Sequence, residues 1–335
     1  MSARIWLKWS EGVQPPFTCR GFKRREESQR SQNKENRRTS FTRVVFKSYH
    51  QHIPMVFNTN FPLLEEYPLS QSVIDEYQEN GHVLLRNVIP ASEIPEFRNV
   101  VLRSHDALLT DEDRRPAMTT YDKAFRLTEN LWEINDLVRA HVLSKRYAGI
   151  AAKLLGCRDV RIYHDLTFFK EGRGKGSVTP WHQDGHYWPL ATEKCITLWV
   201  PLIDCPVEMG PMSFVSGSHK SRAAEHLEIS DESDAFIRKL VDEHGLSVAP
   251  AQHMNAGDAT FHSCWTYHAA GANTTDTTRE AFAIAYFDAD ATIPTDPPVN
   301  KRRAANLAKW FPGGEPGKVA ATEKNPAVLA LATDF

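Results

Sequence analysis

The sequence contains no run of apolar residues long enough to cross a bilayer. A transmembrane helix needs about 20 mostly apolar residues, and the longest apolar stretches of this chain have only the length of a strand. We therefore expect no membrane span. The chain also lacks a Gly-x-Gly-x-x-Gly segment and an alternation of strands and helices. This excludes a dinucleotide-binding fold.

Cysteine is scarce in this chain. The five cysteines are odd in number and irregular in spacing, and no two of them form a Cys-x-x-Cys pair. This pattern excludes a disulfide framework and a structural zinc site, and it indicates free thiols in a reducing compartment. We expect a cytoplasmic protein on this ground.

Positive charge is concentrated at the N-terminus. Residues 1–54 hold twelve Lys and Arg against four Glu, whereas the remaining 281 residues hold 28 Lys and Arg against 38 Asp and Glu. The acidic body argues against nucleic acid as a partner. The polar stretch 21–40 cannot bury enough apolar surface to fold, so we predict a disordered basic leader over residues 1–55. Its composition leaves a peroxisomal or mitochondrial destination open.

The order of predicted elements indicates the fold class. Helical patterns cover 69–81, 90–109 and 135–156, and short strands rich in β-branched and aromatic residues follow. The strands are predicted at 82–89, 160–170, 195–204, 212–218, 258–264 and 279–290. Helices first and many short strands later predict an α+β, mainly β domain over 56–310, a sandwich or barrel buttressed by N-terminal helices. We expect residues 311–335 to form a surface or loose tail.

The segment TPWHQDGHYWPL (179–190) concentrates metal-binding side chains. Residues i and i+2 of a strand point to the same face, so His182 and Asp184 are predicted to reach one ion from one strand. A third ligand must come from elsewhere, and His262 and His268 are the candidates. Two histidines and one carboxylate with the remaining positions open are the ligand set of non-haem Fe(II) oxygenases.

Three segments together resemble the phytanoyl-CoA dioxygenase family. HQDGHYWPL (182–190) is similar to its first iron motif, and GPMSFVSGSHK (210–220) is similar to a segment that ends in a Gly-Ser-His-Lys turn. HAAGANTTDTTR (268–279) is similar to the segment in which the distal iron histidine precedes an Arg by eleven residues. The resemblance covers roughly residues 56–295. It implies a double-stranded β-helix core of the jelly-roll, cupin-like type.

The resemblance also implies roles for individual residues. His182 and Asp184 match the proximal iron ligands. His268 matches the distal ligand, because only this histidine has Arg279 at the family spacing. Arg279 matches the residue that holds the far carboxylate of 2-oxoglutarate, a role that suits a permanently charged guanidinium. Trp199 stands where the family places a wall against the co-substrate.

This chain departs from the family pattern at Ala270, where a serine often donates to the co-substrate. Thr197 and His164 are candidate replacements for that donor, and the sequence does not choose between them. The family also places a polar residue upstream as a further co-substrate contact. The candidates for it are Lys123, Arg126 and Lys170.

Three neighbours of the motifs have weaker predictions. His186 is expected in the substrate pocket or beside the ligands, because a fourth ligand would crowd the open face of the ion. Trp188 is expected to wall the substrate pocket or to pack in the core. Asn273 is expected to support the loop between His268 and Arg279 through bonds from its side chain to the backbone.

The implied function is an Fe(II)- and 2-oxoglutarate-dependent dioxygenase that hydroxylates an unactivated C–H bond and releases succinate and CO₂. O₂ is the oxidant, and ascorbate is the expected reductant. The presence of Asp184 argues against halogenation. The substrate is a small molecule or an acyl compound, and monomer and homodimer both remain open. Two alternatives remain: a non-redox metal enzyme of the same fold, for example one using zinc, and a binding module that has lost turnover.

Overall fold

The computed structural model describes residues 65–109, 126–173 and 178–331, so the predicted leader at 1–55 lies outside the described residues. Seven helices lie in this part of the chain: α1 Gln71–Asn80, α2 Ile94–Leu108, α3 Asp136–Val142, α4 Lys145–Leu155, α5 Asp231–His244, α6 Lys301–Trp310 and α7 Val328–Leu331. The same residues contain nine strands: β1 His82–Leu85, β2 Val160–Thr167, β3 Thr179–His182, β4 Cys195–Pro201, β5 Met212–Val215, β6 Val248–Ala249, β7 Ala259–Ser263, β8 His268–Ala270 and β9 Ala281–Asp288.

The strands form two antiparallel sheets. The larger sheet has the order β1-β7-β4-β9-β2, and the smaller one has the order β3-β8-β5-β6. Side chains of the two sheets meet: His82 of β1 bonds Ser216 just after β5, and Phe214 of β5 lies against His262 of β7, with ring centroids 5.4 Å apart. The space between the sheets therefore receives side chains from both.

The main core lies on the outer face of the larger sheet. Val83, Phe261 and Ile284 point to that face and pack against helical residues that include Phe97 and Leu154. Because successive strand residues alternate between faces, the intervening residues of the same strands point inward to the space between the sheets. The helices thus support the sheet from behind and leave its inner face to the candidate site.

Most predicted elements are confirmed, with one helix wrong. The predicted helix 135–156 is two helices, because Ser144 begins a new one by accepting a hydrogen bond from the Tyr147 backbone N–H at 3.3 Å. The prediction of a single strand through His182 and Asp184 is also wrong. β3 ends at His182, and Asp184 begins a one-turn 3₁₀ helix that ends at His186.

The C-terminal segment differs from the expected loose tail. Phe311, Ala320, Asn325 and Val328 are almost completely buried. The side chain of Asn325 donates to the backbone oxygen of Ile162 at 3.0 Å, which ties the segment to β2. Scattered apolar side chains among glycines and prolines therefore suffice to dock it. Within the described ranges, no helix combines the length and the apolar character that a bilayer span requires.

Candidate functional site

Two strands of the smaller sheet bring the predicted histidines together. β3 and β8 pair with His182 directly opposite His268, and their ring centroids lie 4.1 Å apart. The Asp184 Oδ1 atom lies 3.8 Å from His182 Nε2 and 3.7 Å from His268 Nε2. One ligand atom from each residue lies within 4.8 Å of the other two. These three side chains can therefore share one ion.

Backbone carbonyls fix the orientation of both imidazoles. His182 Nδ1 lies 2.8 Å from the Pro180 oxygen, and His268 Nδ1 lies 2.9 Å from the Thr266 oxygen. A carbonyl only accepts, so each Nδ1 carries the proton and each Nε2 presents a lone pair. Burial lowers the pKa of both histidines, which keeps them neutral and able to bind a metal.

The Asp184 carboxylate is held on its second oxygen. Thr197 of β4 donates to Oδ2 at 3.0 Å, and His262 Nε2 lies 3.5 Å from the same atom. Burial raises the pKa of Asp184, but the nearby imidazoles of His268 and His262 lower it more, so the carboxylate stays ionised. Of the two candidate third ligands, His268 joins the group and His262 stands beside it.

The turn that carries Asp184 is packed tightly on both sides. A side chain at Gly185 would approach the Trp265 ring to 2.7 Å, so only glycine fits there. From α6, the guanidinium of Arg303 donates to the carbonyls of Gly185 and His186 at 2.8 and 3.0 Å. Asn306 donates to the Tyr187 carbonyl at 2.9 Å. The helix α6 thus fixes the metal-binding turn from outside the sheets.

Arg279 lies just before β9 and is only 2% exposed. Its Nη1 donates to the Gly210 carbonyl at 2.5 Å, and its guanidinium carbon lies 5.2 Å above the Trp199 ring. Its Nε has no hydrogen-bond partner in the described chain. Burial lowers the pKa of Arg279 to about 10, which still leaves it charged at neutral pH.

Lys170 is a second buried cation next to Arg279. The two residues exchange backbone hydrogen bonds of 2.9 Å in both directions, and the Lys170 side chain is 0% exposed. Among the described residues, its Nζ reaches only neutral acceptors, the Gly271 carbonyl at 2.7 Å and Thr179 Oγ1 at 3.2 Å. Burial, and secondarily the charge of Arg279, lower the pKa of Lys170 to about 6. Neither cation forms an ion pair with any carboxylate of the described residues.

The structure separates the three upstream candidates. Lys170 lies beside Arg279, Arg126 pairs with Glu171 with half of its side chain exposed, and Lys123 lies outside the described residues. Thr179, which the sequence analysis missed, faces Ala270 across the β3–β8 pair. Its hydroxyl stands near the place where the family often has serine, and its position three residues before His182 was the only available signal.

The other predicted residues take different places. The Thr197 hydroxyl donates its hydrogen bond to Asp184. His164 lies among aromatic rings, with its ring centroid 5.0 Å from that of Trp310. His186 points Nδ1 at the Glu225 carbonyl at 2.7 Å and is not in the ligand group. Asn273 supports its loop as predicted, because its amide donates to the Lys170 and Thr277 carbonyls.

Comparisons with known proteins identify the family of this chain. The model of the phytanoyl-CoA dioxygenase (PhyH) family matches residues 77–281. The ectoine dioxygenase of Stutzerimonas stutzeri (strain A1501) is 22% identical over 274 residues, which cover 76% of this chain and 88% of that protein.

Two solved structures from nogalamycin biosynthesis are also similar. The non-heme alpha ketoglutarate dependent carbocyclase SnoK is 28% identical, with a TM-score of 0.62 over 78% of this chain and 97% of its own. The epimerase SnoN, in complex with Fe³⁺, alpha ketoglutarate and nogalamycin RO, is 26% identical, with a TM-score of 0.60 over 77% and 97%. The chain therefore belongs to the phytanoyl-CoA dioxygenase family, whose relatives here are iron- and 2-oxoglutarate-dependent dioxygenases.

Proposed function

We propose that this protein oxidises a small organic substrate with O₂ and 2-oxoglutarate, on a double-stranded β-helix core. His182, Asp184 and His268 hold Fe(II) in this proposal, and Arg279 and Lys170 hold the far carboxylate of 2-oxoglutarate. The observation that carries the proposal is the combination of an open His-Asp-His group with two buried cations that lack a carboxylate partner among the described residues. The buried guanidinium of Arg279 requires a counter-ion, and an anion placed beside it would also favour the protonated form of Lys170.

The distance between the His-Asp-His group and the pair Lys170 and Arg279 suits a short dicarboxylate. Thr179 and Ala270 face each other at the Lys170 end of the β3–β8 pair. His182 and His268 face each other three residues away along β3 and two residues away along β8, because the register shifts between the two pairs. Three strand residues span about 10 Å. A five-carbon diacid that chelates an ion at one end can therefore reach the cations with its other carboxylate.

The protein groups have separate tasks in this mechanism. The two neutral imidazoles and the Asp184 carboxylate would hold the ion, and Asp184 is accessible on 23% of its side chain. Arg279 supplies a planar pair of N–H donors to the carboxylate. Trp199 lies under the guanidinium and keeps water from it. Iron(II), when bound, supplies the activation of O₂ that is coupled to decarboxylation of 2-oxoglutarate.

Hydroxylation is the product chemistry that we propose first. One oxygen atom of O₂ enters succinate and the other enters the substrate, so that R–H, O₂ and 2-oxoglutarate give R–OH, succinate and CO₂. A second candidate is oxidative rearrangement, because SnoK and SnoN are named a carbocyclase and an epimerase. Hydroxylation adds one oxygen atom, ring closure removes two hydrogens, and epimerisation leaves the mass unchanged, so product mass distinguishes the three.

The decisive experiment measures succinate release from 2-oxoglutarate by purified protein with Fe(II) and ascorbate. We expect release that requires both iron and O₂, and that is lost in Asp184→Ala. Asp242→Ala is the matched control, because Asp242 is an exposed aspartate on α5. Equal release by the wild-type protein and Asp184→Ala, or no release with iron under any condition, would refute the proposal. A non-redox zinc enzyme or a binding module predicts the second outcome.

A further inference from the structure

An irregularity of β2 turns two neighbouring aromatic residues toward the site. The register of β2 against β9 shifts between Ile162 and His164, as in a β-bulge, which redirects side chains and is common next to active sites. Tyr163 consequently joins the cluster of Trp188 and Phe287 and does not join the outer core that contains Ile162.

His164 lies in the same cross-strand row as Thr197, which donates a hydrogen bond to Asp184. Thr197 pairs with Ala285, and Ala285 pairs with His164. Two strand spacings separate Thr197 from His164, about 10 Å. Arg279, in contrast, precedes Ala285 by six residues along the chain, which is about 20 Å of strand. His164 therefore lies on the side of His182, Asp184 and His268, at the opposite end of the sheet from Arg279.

Aromatic rings surround His164. Its ring centroid lies 5.0 Å from that of Trp310 and 6.5 Å from that of Trp188. Tyr163 lies 4.9 Å from Trp188 and 5.9 Å from Trp310. Tyr163, Trp188 and Trp310 are buried, while His164 keeps partial exposure. We call these four residues the ring recess.

Two polar atoms of the ring recess have no hydrogen-bond partner in the described chain. They are the Tyr163 hydroxyl and His164 Nδ1, and Tyr163 is only 1% exposed. An unpaired buried polar group costs about 1–3 kcal/mol. Burial lowers the pKa of His164 to about 3 and raises that of Tyr163 well above 10, so both groups remain neutral. Together they offer hydrogen bonds to an uncharged partner.

Among the described residues, three basic side chains that could bind the phosphates of an acyl-CoA are engaged elsewhere. Lys170 is buried beside Arg279, and Arg303 donates to the carbonyls of the metal-binding turn. Arg302 lies 3.6 Å from a carboxylate oxygen of Glu228. Lys309 Nζ lies 4.4 Å from the Trp310 ring centroid and is paired with Glu129. Among the described residues, the recess itself therefore presents rings and neutral polar atoms to a substrate.

We propose that the ring recess binds the primary substrate and that this substrate is a flat, uncharged ring compound that hydrogen-bonds to His164. The proposal rests on the proposed function, since it places the substrate beside the same metal group. It also gives His164 a substrate role in place of the co-substrate role predicted from the sequence. Trp310 lies outside residues 77–281, which the family model matches.

The test uses protein loaded with Fe(II) and 2-oxoglutarate without O₂, and follows the visible charge-transfer band of that complex. Three probes are compared: 7-hydroxyflavone, which is flat and cannot chelate iron through adjacent oxygens, palmitoyl-CoA, and ectoine. We expect 7-hydroxyflavone to perturb the band with the highest affinity. Tighter binding of either other probe would overturn the proposed substrate class.

Substitutions in the ring recess test whether 7-hydroxyflavone binds there. We expect Trp310→Ala and His164→Leu to weaken 7-hydroxyflavone binding at least ten-fold while the affinity for 2-oxoglutarate stays within two-fold. Trp310→Phe and His164→Gln should restore most of the binding, and Trp132→Phe is the control at a buried tryptophan outside the recess. Unchanged binding in the first two variants would overturn the recess.

If Trp310→Ala and His164→Leu do not fold, Trp310→Phe and His164→Gln test whether the ring recess binds the probe. In each conservative variant we expect 7-hydroxyflavone binding to weaken about two- to four-fold, less than the ten-fold loss expected of Trp310→Ala and His164→Leu. Binding equal to that of the wild type in both conservative variants would overturn the recess. A protein that never forms the charge-transfer band contradicts the proposed function instead, so the two failures are distinguishable.

Discussion

At the residue scale, the most informative feature is a pair of buried cations. Lys170 and Arg279 are bonded to each other through their backbones and to neutral groups through their side chains. Such an arrangement is unfavourable in the empty protein and becomes favourable when an anion enters. In the proposed function, these two residues bind an anion, and its negative charge stabilises them.

Binding of 2-oxoglutarate should take up a proton at Lys170. Burial and Arg279 lower the pKa of Lys170 to about 6 in the empty protein, so it is mostly neutral at pH 7.5. A carboxylate beside the ammonium raises that pKa again, and about one proton should enter with each 2-oxoglutarate. Cys205 and Arg279 are the other titratable groups that act on Lys170. Calorimetry in buffers of different ionisation enthalpy measures the uptake.

Lys170→Met should abolish this proton uptake and raise the KM for 2-oxoglutarate at least ten-fold. Lys239→Met is the control, because Lys239 is exposed on α5. Proton uptake that persists in Lys170→Met would assign the titration to another group.

Thr197→Val should weaken Fe(II) binding about ten-fold, because residues that orient a metal ligand typically contribute 10–100-fold to affinity. Thr197 donates a hydrogen bond of 3.0 Å to Asp184 Oδ2. Thr197→Ser keeps the hydroxyl and should retain most of the affinity. Anaerobic iron titration measures both. Equal iron affinity in the valine variant and the wild type would contradict the role.

Some residues of the candidate site could be predicted from the sequence, and others could not. His182, Asp184, His268 and Arg279 belong to local motifs, and the structure brings ligand atoms of the first three within 4.8 Å of one another. Thr179 and Lys170 belong to no motif. Their place at the site follows from the β3–β8 pairing and from the bridge between Lys170 and Arg279, which only the folded chain reveals.

At the element scale, the helix α6 has a larger part than its sequence indicates. Its residues KRR (301–303) look like a solvated basic cluster, yet Arg303 bonds two carbonyls of the turn that carries Asp184. The turn has no other side-chain donor on those carbonyls in the described chain. The position of Asp184 therefore depends on a helix more than a hundred residues away in sequence.

Arg303→Met should weaken Fe(II) binding several-fold and lower kcat, because the turn loses both of these bonds. Arg302→Met is the matched control, since Arg302 is adjacent on the same helix and is paired with Glu228. Arg303→Lys should recover part of the iron affinity. Iron affinity and the charge-transfer spectrum are the measurements, since a purely structural role would lower the melting temperature and leave both unchanged.

The elements that the sequence predicted are those with strong local signals. The helix ending at Gly81 and the strands of the larger sheet were predicted close to their bounds. The turn at Asp184 was predicted as strand, because His-x-Asp fits a period of two and the packing of Gly185 on Trp265 cannot be inferred locally. α5 was missed, although Ser230 and Ser233 form a capping box that marks its start.

At the scale of the whole molecule, the two cations link stability to function. In the empty protein, Lys170 is charged below pH 6 and destabilises the fold most there. Between pH 6 and the unfolded pKa of 10.5, Lys170 must lose its proton when the protein folds, and this loss costs less free energy as pH rises. The destabilisation of the folded state therefore shrinks over this pH range.

Lys170→Met should therefore melt at a higher temperature than the wild type, with the largest difference near pH 6 and a smaller one at pH 9. Adding 2-oxoglutarate and Mn(II) should stabilise the wild type by about 2.7 kcal/mol at a hundred times its Kd, and should stabilise the variant less. Thermal melts with and without ligand check both statements. A variant that is less stable than the wild type at every pH would show that Lys170 supports the fold.

The most direct test of the account is a crystal structure of the protein with Mn(II) and 2-oxoglutarate, grown without O₂. We predict that the ion lies between His182, Asp184 and His268, and that the far carboxylate of 2-oxoglutarate bonds both Lys170 Nζ and the Arg279 guanidinium. An ion bound through other residues, or a far carboxylate that contacts neither cation, would contradict it.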